Sequence, residues 1–166
     1  MINFFISLFF LLSIKLPEDL LKMRSHFELM SKSEKNVEAL FKLSTESKEV
    51  SEQLKKAYHA AAEMSSAQYK LNPISKINTF SSGRKKLDDL ILENPTNIEM
   101  RYIRFTIQDN APSFLGYNKN LTSDKLFLIK NIKVLKQSDT DLYSKIYAYL
   151  LVKANLTEQE KNSLTT

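Results

Sequence analysis

Cysteine is absent from this chain, which excludes disulfides, thiolate metal sites, cysteine nucleophiles and a bacterial lipoprotein anchor in one step. Glycine occurs twice and proline four times. Sheet proteins with many tight turns need more of both, so the scarcity favours helices joined by short connections. Strand-like alternation and hairpin dipeptides such as Asn-Gly are also missing. His26 and His59 are the only histidines. Neither has a histidine or cysteine at ligand spacing, which removes zinc from consideration. No G-x-S-x-G frames a serine, and no glycine-rich loop is present to cradle a phosphate. The acidic groups Glu18/Asp19, Asp88/Asp89 and Glu46/Glu49/Glu52 sit among lysines on helical patterns and read as solvated faces. The chain is therefore read as a non-enzyme, with no catalytic residue, no metal ligand and no cofactor assigned.

What remains is an ordinary globular composition. The apolar fraction of 43% suffices for a packed core. The net charge of +5 comes from acids and bases interleaved along the chain. A nucleic-acid surface would gather its bases on one face. The densest run, Arg84-Lys85-Lys86, is followed at once by Asp88 and Asp89, so nucleic acid is not the expected partner.

The N-terminus stands apart. Ile2 to Ile14 is nearly all apolar, interrupted chiefly by Ser7 and Ser13, and ends at Lys15, Pro17, Glu18 and Asp19. It is too short for a hydrocarbon core that needs about 20 residues, and has the length of a signal-peptide apolar region. The expected organisation is a cleaved signal peptide over residues 1–16, one all-α domain over 17–155, and a short helix or tail over 156–166. Export to the periplasm, cell envelope or extracellular space follows, with no transmembrane helix beyond the signal segment.

From Glu18 onward the apolar residues recur with helical period. Leu20, Leu21, Met23, Phe27 and Met30 mark a first helix, and Val37, Leu40, Phe41 and Leu43 a second. A long third helix is predicted over about 48–70, rich in the small residues Ala60, Ala61, Ala62 and Ala67 that let a neighbour approach. Asn72-Pro73 ends it. The fourth helix spans about 74–93, with Ile77, Phe80, Leu87, Leu90 and Ile91 as its apolar stripe. Gly83 lies inside it, and close contact with a partner helix is the cheapest reason to keep a mid-helix glycine that costs roughly 1 kcal/mol. Asn94-Pro95 is a short turn into the fifth helix, about 96–109, which is apolar on two sides and is expected to be the most buried. A sixth helix holds Leu126 to Leu135, and a seventh begins at Asp139 or Thr140. Thr157 and Glu160 form a capping-box pattern for one last turn. The fold class is all-α: antiparallel helical hairpins, about six to seven helices, either tetratricopeptide-like or an irregular helical bundle.

The pattern Phe80-x-x-Gly83-x-x-x-Leu87-x-x-x-Ile91-x-x-Asn94-Pro95, followed by Tyr102, resembles the junction of tetratricopeptide-type hairpins. Its turn lies about fifty residues from the turn at Ser44–Ser47, against about 34 in the standard repeat, which argues against a regular superhelix. The longer series running through Asn72-Pro73, Gly83, Asn94-Pro95, Arg101-Tyr102, Arg104-Phe105, Gln108 and Asn110-Ala111-Pro112 to Tyr117 is similar to a family of exported helical proteins of Bacteroidetes-type bacteria, of unassigned function. The resemblance covers roughly residues 34–135 and implies a helical fold and export.

Arg101, Arg104 and Gln108 share one face of the fifth helix at spacings of three and four. A polar stripe on so apolar a helix must reach solvent or find partners. Two outcomes stay open: a guanidinium pair that takes a partner's carboxylate, or pairing within the chain. Phe114 and Tyr117, in the turn after Pro112, either line a groove for a peptide or pin the loop to the core. Tyr143, Tyr147 and Tyr149 form an aromatic cluster on the seventh helix. The expected function is protein–protein interaction or scaffolding in the cell envelope. The alternative is a small-molecule binder or enzyme with a pocket between the fifth helix and residues 112–117.

Overall fold

The computed structural model describes residues 15–165, and the first fourteen residues of the predicted signal peptide lie outside that range. Within it the chain is all-α: α1 (Glu18–Leu29), α2 (Glu34–Glu46), α3 (Glu52–Ser66), α4 (Pro73–Glu93), α5 (Ile98–Asn110), α6 (Leu121–Asn131), α7 (Leu135–Ser138), α8 (Thr140–Lys153) and α9 (Glu158–Thr165). Short 3-10 turns follow α3 (Ala67–Tyr69), precede α6 (Ser113–Leu115) and separate α6 from α7 (Ile132–Val134).

The boundaries follow local chemistry. Ser51 Oγ accepts from the Leu54 N–H and starts α3, four residues later than its apolar pattern suggests. Asn72 Oδ1 accepts from the N–H groups of Ile74 and Ser75 ahead of Pro73, and Asn97 Oδ1 accepts from Met100. Each cap satisfies amide donors that the first helical turn leaves without partners. At Thr157 the capping box closes: Glu160 N donates to Thr157 Oγ1 and Thr157 N to Glu160 Oε2.

The helical segments outnumber the expected six to seven because the predicted sixth helix is divided. Asn131 Nδ2 donates to the Phe127 carbonyl at 2.7 Å, competing with the backbone for that acceptor. The chain then tightens into the 3-10 turn before α7. The last turn also extends into α9, and its Leu164 is buried.

α1 through α4 are sequential neighbours in the packing order, α5 lies against α3, α4 and α6, and α9 returns to α6. Nine of the thirteen residues of α5 are buried, which makes it the axis of the core. Leu40, Ala57, Ala61, Leu87, Met100, Ile103, Phe105, Leu128, Ile132, Ile146 and Leu150 fill the space around it. Ile77 is the exception to the stripe predicted for α4: it is 51% exposed, as are Leu71 and Ile74 to a greater degree. The part of α4 that engages the core begins at Phe80.

α3 and α4 make the tightest crossing. A Cβ placed on Gly83 would lie 2.7 Å from both the Ala60 carbonyl oxygen and Met64 Cγ. The alanines Ala60, Ala61 and Ala62, all buried, provide the close approach on the α3 side. Gly83→Ala adds about 1 kcal/mol of helix propensity, but the backbone oxygen cannot rotate away and overpacking of this kind costs about 1–3 kcal/mol. The expected outcome is a net loss of stability, read as a lower midpoint in thermal unfolding followed by circular dichroism. A higher midpoint would mean that the two helices separate without cost.

Candidate ligand groove and the ion networks that frame it

Two buried ion networks hold the helices around an open groove. The first centres on Arg24 of α1, 2% exposed. Its Nε and Nη2 donate to Glu99 of α5 at 2.7 and 2.8 Å. The same guanidinium reaches Asp139 at 2.6 and 2.9 Å, and Asp141 at 2.9 Å. Tyr58 of α3 donates to Glu99 at 2.6 Å. Burial alone would discourage the charged guanidinium, but the bonds to Glu99 and Asp139 outweigh it and hold the proton more tightly than usual. Burial, reinforced by Glu99, pushes the Tyr58 phenol far up, so it serves as a donor.

The second network contains the sequence-predicted Arg101, Arg104 and Tyr117. Asp124 of α6, fully buried, accepts from Arg104 Nε and Nη2 at 2.7 and 2.9 Å and from Arg101 Nη1 at 2.9 Å. Arg104 also reaches Asp88 at 3.2 Å, where the Tyr117 hydroxyl donates at 3.0 Å. Arg101 donates to the Pro95 carbonyl and lies over the Phe127 ring. Both guanidinium groups thus have carboxylate partners within the chain. Gln108, on the same face and 3% exposed, has no hydrogen-bond partner for either side-chain polar atom among the described residues. Neither Arg24 nor Asp124 was marked by the sequence, because each meets its partners only after distant helices have packed.

The turn after α5 splits its apolar residues. Tyr117 is buried and meets Phe80 edge to face. Phe114 is 81% exposed. Gly116, at φ +58°, takes the left-handed conformation that lets the chain reverse between them. The tyrosines of α8 divide as well: Tyr143 and Tyr147 stack on each other, whereas Tyr149 packs against Tyr102 and Phe105. Tyr149 accepts from Asn110 and donates to Asp109, both at 2.7 Å.

Phe114 stands at the lip of a groove of about 1090 Å³ that is open to solvent. Phe27, Met64, Phe80, Tyr102, Ile107 and Tyr149 form its apolar wall, contributed by α1, α3, α4, α5 and α8. Charges stand among the lining residues: Glu28, Lys32, Lys76, Asp141, Lys145 and Lys153. Arg101, Arg104, Gln108 and Tyr117 do not line it.

A smaller cavity of about 480 Å³ lies between α2, α3 and α4, near His59, Glu63 and Lys86. Ser44 Oγ stands 3.2 Å from His59 Nδ1, a contact that a search for a serine nucleophile would notice. Ser44 already donates its proton to the Phe41 carbonyl at 2.9 Å, so the imidazole is the donor in this pair. That is the reverse of an activated nucleophile. Burial, with help from Lys86, lowers the His59 pKa. Among the described residues no group of three His, Cys, Asp or Glu side chains is placed to hold a metal, and no helix is long and apolar enough to cross a membrane.

Comparison of the chain with protein-family models, curated proteins and solved structures found no match.

The Arg24 network makes a specific demand on stability. Arg24→Met leaves Glu99 buried without its cation, a loss of roughly 3–5 kcal/mol. Adding Glu99→Gln removes the stranded charge while keeping an acceptor for Tyr58, so the double variant recovers part of that loss. Urea unfolding of the two variants checks it; equal stability would show that the charge of Glu99 contributes nothing.

Proposed function

We propose that this chain is an exported helical-hairpin docking module whose groove receives a segment of another polypeptide. The groove itself carries the reading: about 1090 Å³, open to solvent, walled by aromatic and aliphatic side chains from five helices, with Phe114 exposed at its lip. Exposed aromatic residues beside a preformed apolar concavity are the usual anchors of polypeptide recognition. The likeness to tetratricopeptide hairpins at Phe80–Tyr102 supports the same use. The groove lies between α5 and residues 112–115, where a small-molecule site would also sit; its opening to solvent and the exposed Phe114 favour a polypeptide.

Two substitutions test the groove. Ala148 lies exposed on its α8 wall, so Ala148→Trp fills it from the surface without disturbing the core. A photoreactive phenylalanine analogue at position 114 is expected to form an adduct with one defined polypeptide in the native host, and Ala148→Trp to abolish it. The same analogue at exposed Leu92, which does not line the groove, is expected to form none. Equal adducts from both positions would overturn the reading.

The apolar run over residues 2–14 and the likeness to exported Bacteroidetes-type proteins support a location in the periplasm, cell envelope or medium. An intact mass lacking about the first 13 to 20 residues, measured on protein from the fractionated native host, is the expected result. A full-length cytosolic product would overturn export.

A further inference from the structure

The charges of the groove are unequally committed. Of its acids, Glu28 pairs with Lys145 at 2.8 Å. Asp141 takes Arg24 at 2.9 Å and lies 4.0 Å from the same lysine. Lys32 in the turn between α1 and α2, Lys76 of α4 and Lys153 of α8 are exposed, line the groove, and have no carboxylate within salt-bridge distance among the described residues. An apolar floor is thus edged by uncompensated positive charge. We infer, resting on the docking reading above, that the occupant is an amphipathic helix of another polypeptide whose apolar face is flanked by Asp or Glu.

The dimensions suit that occupant. A helix clothed in side chains is about 10 Å across, and an open groove of about 1090 Å³ walled by five helices takes in side chains from one face of it. Such a face presents anchors at i, i+3 or i+4, and i+7 to the floor. The residues beside those anchors stand at the height of the rim, where Asp and Glu meet the three lysines. Exposed pairs of this kind add modestly to affinity and more to selection against a basic partner.

The probes are two labelled peptides of about 15 residues, long enough to populate a helix. Both carry leucine and phenylalanine on one face, and one has glutamate where the other has lysine. Binding to the full chain is followed by fluorescence anisotropy. The glutamate peptide is expected to bind about tenfold more tightly at low ionic strength, with the difference shrinking as salt is added. Lys32→Glu/Lys76→Glu/Lys153→Glu is expected to invert the preference, and Phe114→Ala to weaken both peptides; all four positions are exposed, and circular dichroism confirms folding. Equal binding of both peptides, weakened by Phe114→Ala and indifferent to the lysine reversal, would overturn the acidic-helix inference and leave the docking reading standing. Binding of neither peptide while a long-chain fatty acid binds with the same Phe114 dependence would overturn both.

Discussion

One buried cation decides the arrangement of the helices. Arg24 is withdrawn from water, so every donor of its guanidinium needs an acceptor, and those acceptors lie on Glu99, Asp139 and Asp141. Satisfying them ties α1 to the start of α5 and to the start of α8. Tyr58 brings α3 to the same carboxylate. Four helices are thereby held in one register, and all four contribute to the groove wall. A hydrophobic contact could have slid by part of a turn. A bidentate guanidinium–carboxylate pair tolerates no such shift, because its two bonds are parallel and directional.

The second network does for the other side of α5 what Arg24 does for the first. Asp124 gathers Arg101 and Arg104, and Asp88 extends the chain of bonds to Tyr117. The turn after α5 is thus anchored at Tyr117 and left free of the core at Phe114. That division separates anchoring from display: the anchored residue is spent on the fold, and the displayed one stands where an incoming side chain can reach it. Of the five residues the sequence nominated for partner contact, only Phe114 lines the groove.

Much of the helical framework was legible in the sequence. The bounds of α4 and α5 follow from Asn72-Pro73 and Asn94-Pro95-Thr96-Asn97, because a proline bars the helical conformation before it and an asparagine caps the helix after it. Gly83 announced the close crossing of α3 and α4, since a glycine inside a helix is retained where a methyl group does not fit. The division between α6 and α7 was not legible. It depends on one asparagine side chain reaching its own preceding turn, which a periodic pattern of apolar residues does not register. Ile77 misled for a related reason: its spacing matches the stripe of α4, but α3 ends at Ser66 and Ile77 is left half exposed among the described residues.

The sequence by itself determined where helices start, stop and turn their apolar faces, because capping and 3.6-residue periodicity act over a few neighbouring residues. Only the tertiary structure decided which charges are buried and which remain available. Arg24 meets Glu99 at a sequence separation of 75 and Asp139 at 115, and no local pattern carries that information. The groove belongs to the same class. It is the space left among five helices after their cores are filled, so its walls are adjacent only in the folded chain, and the three lysines that line it come together only there.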